Sequence, residues 1–306
     1  MDFFVNDDQQ AVLDAMGTLL GRHAGPSRLR HLGGDQPAYD RDLDKHLETA
    51  GFLDLAPAGS RNRLDAALVQ EAISVALGSS ATSYRLLVAP SLSVPVMGPM
   101  AIVADGHRGP VRFGADADAV VMVSETDVRL AVPPPTSDRT KSRLGWPVGR
   151  FSSAVQGSKL DGVDPQEVVS WLRVALAVEI VGALRFATDL TVRFVMDRKQ
   201  FDRPIGSFQA VQHGLAECAI ATEGARWLAL EAAEIGSPEA ACTALAHAVE
   251  ATRVVFARTH QYSGAMGFTQ EYDLHLATMR LVALRAEAEA FGRPATTSAL
   301  QRWALA

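Results

Sequence analysis

The sequence predicts a mainly α-helical protein in three parts: a helical N-terminal domain over residues 1–93, a small β domain over 94–163, and an antiparallel four-helix bundle over 164–306. Three observations predict it. Apolar side chains recur at helical spacing through the first third; short β-branched runs punctuated by Gly, Asp and Pro fill the middle; four long stretches rich in Ala, Val and Leu, joined by short connections, fill the rest. With 306 residues, 48% hydrophobic and 21% charged, the chain is long enough for one large domain or two to three coupled ones.

The first helix begins at Asn6 in NDDQQAVLDAMGTLLGRH, where Val12, Leu13, Met16, Leu19 and Leu20 share a face and acidic side chains sit at the positive end of the dipole. Two further helices, YDRDLDKHLETAGFLDLA and RLDAALVQEAISVALG, are each expected to end on a left-handed glycine, Gly51 and Gly78. The β pattern that follows includes PVRFGADADAVVMVSETDVRLAVPPP, and PPPTSDRTKSRLGWPVGR reads as an exposed loop because it carries turn formers, mixed charge and no period. From Asp164 the four bundle helices run through DPQEVVSWLRVALAVEIVGALRFATDLTVRFVMDRK, SFQAVQHGLAECAIATEGARWLALEAAEIG, SPEAACTALAHAVEATRVVFARTHQYSGAMG and EYDLHLATMRLVALRAEAEAF. Their apolar faces are wide, which predicts a subunit interface in addition to a core.

Charge and cysteine content narrow the function. Lys and Arg number 29 against 35 Asp and Glu, so no basic stripe for a phosphate backbone is present and nucleic acid is not an expected partner. Only Cys218 and Cys242 occur, both inside helical patterns, which predicts a reducing, cytoplasmic compartment. The acidic start has the wrong sign for a signal peptide, and no apolar run is read as long enough to span a bilayer, so a soluble protein without membrane insertion is expected. His213, His247, His260 and His275 lack the short spacings of a metal site and are read as packing or surface residues; Met266 and Phe268, beside a turn, are read as core.

Two segments carry chemistry. In RKQFDRPIGSFQAVQHGLA, Arg198 opens the connection after a long helix, where a guanidinium can hold a pyrophosphate bidentately; Pro204 and Gly206 are expected to fix a turn; and Gln209 begins the next helix, where free N–H groups can bind an anion. Taken singly, these residues favour the plainer reading, in which Arg198 caps its helix and Gln209 faces solvent. In HQYSGAMGFTQEYDLHLATMRL, Gln261, Gly264 and Gly267 are placed in a tight turn that lets a ligand approach the backbone.

Together these segments resemble the two C-terminal signature segments of the acyl-CoA dehydrogenases, and the helix, β, bundle order resembles that family along nearly the whole chain. The resemblance implies an acyl-CoA dehydrogenase-like fold. It also implies that Arg198, Phe201, Phe208, Gln209, Gln261, Gly264, Ala265 and Gly267 hold the adenosine-diphosphate half of an FAD whose ring lies mainly in a neighbouring subunit. The family usually has two consecutive glycines where this chain has Gly264 and Ala265; a methyl there requires an ordinary backbone angle.

Two family features are missing. The Thr-Glu and Gly-Ser-Asp-type segment that borders the flavin ring is not found, and MAIVADGHRGPVRFGADADAVVMV stands in its place. The carboxylate that removes the proton α to the thioester is absent from both family positions: the tail has no Tyr-Glu-Gly-Thr stretch, and the helix position counted back from Arg198 is Leu172. Glu179 lies about 10 Å further along that helix and is expected to be a buried structural glutamate; Glu271, at a helix start, is expected to cap. No catalytic residue is therefore assigned. The resemblance implies the short subunit of a bacterial heteromeric dehydrogenase acting on bulky acyl-CoA thioesters, steroid-derived ones included, with a longer partner subunit supplying ring site and base, and an electron-transfer flavoprotein as acceptor. Alternatives are a self-sufficient homo-oligomer with Glu179 or Glu271 as relocated base, and a non-catalytic scaffold.

Overall fold

The computed structural model describes residues 5–33, 36–56, 60, 62–291 and 297. The rest of the tail, assigned above to the bundle domain, lies outside the described residues.

Helix α1 (Asp7–His23) starts as its sequence predicts: the Asn6 side chain accepts from the Gln9 N–H, and the Gln9 side chain accepts from the Asn6 N–H, a reciprocal cap. A short helix α2 (Pro26–Gly33), which periodicity did not indicate, follows; Pro26 in the first turn pre-sets φ. Helices α3 (Arg41–Thr49) and α4 (Leu64–Val75) fall inside the expected stretches. Gly51 takes the left-handed cap after α3, φ +78°. After α4 that conformation belongs to Leu77 (φ +56°), not Gly78. The Gly78 N–H closes the cap on the Ile73 carbonyl, and glycine is needed there for space, since a Cβ would press on Ile73 and Leu43. A single π-turn, Tyr84–Val88, and a 3₁₀ turn, Ala89–Ser91, complete the helical part.

The middle region is a small β domain of two sheets, as expected. Strands β1 (Met100–Ala104), β3 (Ala119–Val123), β4 (Val128–Ala131) and β7 (Ser158–Lys159) form one sheet in the order β1-β3-β4-β7, with β1 parallel to β3. Strands β2 (Val111–Arg112), β6 (Val148–Phe151) and β5 (Ser137–Thr140) form a second sheet, order β2-β6-β5. The segment read as an exposed loop therefore contributes two strands, and its Trp146 and Gly149 are buried. Short edge strands with polar alternation carry too little local signal to be seen without their partners.

Helices α5 (Pro165–Asp197), α6 (Gln209–Ile235), α7 (Pro238–Ser263) and α8 (Leu274–Ala290) make the bundle. Helix α5 is apolar on nearly every face because α4, α6, α7, α8 and the Tyr84–Val88 turn all pack on it, so its breadth needs no second chain. Helix α7 with the turn after it, Pro238–Phe268, is long and apolar enough by length and composition to cross a bilayer, contrary to the expectation above; in the fold it packs between α5 and α6. The N-terminal half of α6 leaves apolar side chains in solvent: Ile220 is 74% exposed beside exposed Ala216 and Ala219.

Candidate functional site

The connection between α5 and α6 is a strand pair, β8 (Lys199–Gln200) and β9 (Arg203–Pro204). The strands reverse at their tip through Phe201 and Asp202, both left-handed (φ +53° and +60°), and the turn expected of Pro204 and Gly206 follows as a 3₁₀ turn, Ile205–Ser207, with Pro204 as its N-cap. Arg198 ends α5: its N–H donates to the Phe194 carbonyl at 2.9 Å, and its own carbonyl accepts from the Ile205 N–H at 2.8 Å. The backbone thus does the capping, while the exposed guanidinium makes no hydrogen bond or ion pair with the described residues. The tip Phe201 is 86% exposed and meets Phe208 edge-on at 6.2 Å; the Arg203 guanidinium lies 4.0 Å over the Phe208 ring. Phe208 is the N-cap of α6 and offers no side-chain cap, so the N–H groups of exposed Gln209 and of Ala210 find no partner among the described residues.

The second segment meets the first here. Gln261 is not in the turn; it is exposed in the last turn of α7. Next to it, Tyr262 Oη donates to the Ala210 carbonyl at 3.1 Å and lies against Gly214, tying the end of α7 to the start of α6. Gly264 ends α7 with φ +57° and ψ −141°, a backbone that side chains disfavour, and opens a 3₁₀ turn, Gly264–Phe268. Gly267 is buried, where a Cβ would crowd Ser263 and His260. Ala265 is exposed and outside the left-handed region, so its methyl costs the backbone nothing. Met266 and Phe268, expected in the core, stand out of it at 41% and 76% exposure, with Phe268 stacked on the His260 ring. Burial lowers the His260 pKa, and its Nε2 faces Thr278 Oγ1 at 3.2 Å.

All eight positions therefore share one end of the bundle. An unpaired guanidinium, two free N–H groups at a helix start, one exposed and one half-buried ring and a glycine turn are the donor set an adenosine diphosphate needs, and the residues fit that group.

The base positions lie elsewhere. Leu172 is fully buried within α5. Glu179, 2% exposed, accepts from Arg112 Nη1 at 2.8 Å. Arg112 also reaches Glu287 (Nε to Oε2, 2.7 Å) and the Tyr84 hydroxyl (2.6 Å), and Tyr84 in turn donates to Glu287. Burial pushes the Glu179 carboxyl up, with Arg112 opposing; burial works against the Arg112 charge too, but Glu179 and Glu287 more than offset it. Arg280 and Arg112 lie on the Trp146 ring, at 4.1 and 4.9 Å, and Arg280 donates to the carbonyls of Gly145 and Gly78. The helical part, the sheets and the bundle are joined by this cluster, in which Glu179 is buried and hydrogen-bonded. Glu271 is exposed and precedes α8, whose N-cap is Asp273 without a side-chain cap bond, so the capping expected of Glu271 is not made. Arg112, Tyr84 and Glu287 escaped sequence reading; the only signal was a charged residue inside the apolar run PVRF. Cys218 and Cys242 are buried and unpaired.

Residues 165–306 match the domain family described as Acyl-CoA dehydrogenase, C-terminal domain. The chain is 28% identical over 297 residues, 89% of its length and 91% of the relative's, to Acyl-CoA dehydrogenase IpdE2 of Mycolicibacterium smegmatis. Among solved structures it is similar to a chain of the ChsE4-ChsE5 complex from Mycobacterium tuberculosis (TM-score 0.78, 22% identity, 99% of this chain and 98% of that one). It is also similar to a chain of a Tcur3481-Tcur3483 steroid ACAD variant (TM-score 0.76, 22% identity, 97% and 96%). At those identities the structural likeness is one of fold. Residues 165–306 thus carry the acyl-CoA dehydrogenase C-terminal domain, and the chain is similar along most of its length to acyl-CoA dehydrogenases and shares their fold.

Proposed function

We propose that this chain is the smaller subunit of a hetero-oligomeric, FAD-dependent acyl-CoA dehydrogenase. It binds the adenosine-diphosphate half of FAD in trans through Arg198, Phe201, Phe208, Gln209, Gln261, Gly264, Ala265 and Gly267, while a longer partner supplies the flavin-ring site and the carboxylate base. The observation that carries this is the contrast within one helix: α5 ends in an unpaired guanidinium beside the free N–H groups of α6, yet holds a sealed leucine at the position of the base. Bound FAD would supply the hydride acceptor for α,β-dehydrogenation of an acyl-CoA thioester. This chain's residues orient and neutralise its pyrophosphate; none is placed to take the substrate proton, because Glu179 is held by Arg112 inside the interdomain cluster. The two-protein assemblies named for the ChsE4-ChsE5 and Tcur3481-Tcur3483 neighbours support a partner subunit, and the latter's steroid ACAD supports a bulky, steroid-derived acyl group. Electrons pass on to an electron-transfer flavoprotein. Two unpaired buried thiols accord with a cytoplasmic setting.

The test is Arg198→Ala in the assembled complex. Loss of a charge-assisted bond of roughly 1.5–3 kcal/mol should weaken flavin binding about tenfold to a hundredfold, with little rescue by Arg198→Lys, which lacks the fork. Unchanged flavin content would overturn the assignment.

A further inference from the structure

We propose that Arg193 is a second pyrophosphate-binding residue: with Arg198 it lines one groove at the end of α5, so that each phosphate of the diphosphate meets its own guanidinium. This rests on the proposed trans half-site and extends it to a residue outside the signature segments.

The groove holds about 490 Å³ and is lined by Leu190, Arg193, Phe194, Asp197, Arg198 and Tyr272. Its wall is held in place by the protein itself: Tyr272 Oη donates to the Leu190 carbonyl at 3.2 Å, and the Phe194 and Tyr272 rings pack at 5.3 Å. Arg193 and Arg198 are both exposed, and neither has a hydrogen bond or ion pair among the described residues. Several other arginines of the bundle are engaged: Arg226 holds Glu71 at 2.8 Å, Arg253 holds Glu250 and Arg258 holds Glu217. The two guanidiniums start about 7.5 Å apart along the helix axis and open into the same space. Charge decides the need for both. Asp197 lines the same groove, so Arg198 alone would leave it with no net charge, an unfavourable seat for a diphosphate; Arg193 makes it net positive. Guanidinium forks match phosphate oxygens better than ammonium groups do, and two of them suit a ligand with two phosphates.

The full chain, carrying a tag, is recovered with its flavin-bearing partner from its native source, and FAD affinity is read from flavin released on dilution, with ADP as competing ligand. Arg193→Gln should weaken FAD and ADP about tenfold while subunit stoichiometry and melting temperature hold. Asp197→Asn should tighten both severalfold, because it removes the opposing charge. Arg129→Gln, an exposed arginine on β4 paired with Asp127, controls for net charge and should change neither affinity. Arg193→Lys should fall between wild type and Gln. If Arg198→Ala strips flavin but Arg193→Gln matches the Arg129→Gln control, the second clamp is wrong and the half-site stands. If Arg198→Ala also leaves flavin in place, the half-site itself fails. Should Arg193→Gln break the assembly without changing ADP affinity, the groove is a subunit contact and this proposal is overturned.

Discussion

Removing the Arg112 guanidinium should unmake the junction between the three parts of the fold, by an amount the geometry lets one work out. Arg112→Met keeps much of the side chain's bulk but leaves buried Glu179 beside partly buried Glu287, with Tyr84 against them and Arg280 near to balance the charge. Breaking a buried pair by deleting one partner costs about 3–5 kcal/mol. Unfolding entropy scales with chain length, so for 306 residues 1 kcal/mol corresponds to about 1.6 °C and the expected fall in melting temperature is about 5–8 °C. The effect depends on pH with a definite sign. Burial already raises the Glu179 carboxyl above its unfolded value, and losing Arg112 raises it further. Such a group contributes stability that is present below the unfolded carboxylate pKa and lost as pH rises through the folded one. The deficit of Arg112→Met should therefore be largest near pH 8 and shrink toward pH 5. Thermal melts of wild type and variant across that range, followed by circular dichroism, measure it. A variant melting within about 1 °C of wild type at pH 8, or a deficit that grows on acidification, would refute the reasoning.

Three other outcomes are expected. Glu179→Gln and Glu271→Gln should leave turnover of the flavin-loaded complex within about twofold, whereas loss of a general base costs 10²–10⁴; a collapse in rate with flavin and assembly intact would place the base in this chain. Gly214→Ala puts a methyl into Tyr262 and should loosen the joint between α6 and α7, lowering both melting temperature and flavin affinity; Tyr262→Phe in the same background should not recover the Ala210 bond. Burial pushes the Cys218 thiol up to about 11 and raises Cys242, so neither should react with a thiol reagent at pH 8 until the protein is unfolded, when both should; prompt labelling of the native protein would contradict their burial.

The candidate site was legible to the extent that it rests on local backbone chemistry. Arg198 does end α5, Gln209 does begin α6, and Gly264 does take a backbone that favours glycine, because helix ends and turns are decided by a few neighbouring residues. Pro204 and Gly206 do take part in a turn, the 3₁₀ turn Ile205–Ser207, but the reversal before it was not legible: Phe201 and Asp202 bear left-handed angles because the β8–β9 ladder sets where the chain turns back. Leu77 takes the cap expected of Gly78 because space against Ile73 and Leu43 claims the glycine one residue later. Phe268, read as core, is exposed because the turn projects it from the bundle.

By itself the sequence determined the helices of the bundle and the ends of α1 and α5, which follow from composition and spacing along the chain; the leucine at the position of the base was read from the resemblance of its two signature segments. Only the tertiary structure decided that β5 and β6 are strands, that the breadth of α5 is buried within this chain, and that Arg112 joins Glu179 and Glu287. It also decided that Arg193 and Arg198 open into one groove. The reason is one of range: helical periodicity and caps are written within a few residues, whereas Arg112 lies 67 positions from Glu179 and 175 from Glu287, and no local pattern records which distant charge a buried guanidinium will meet.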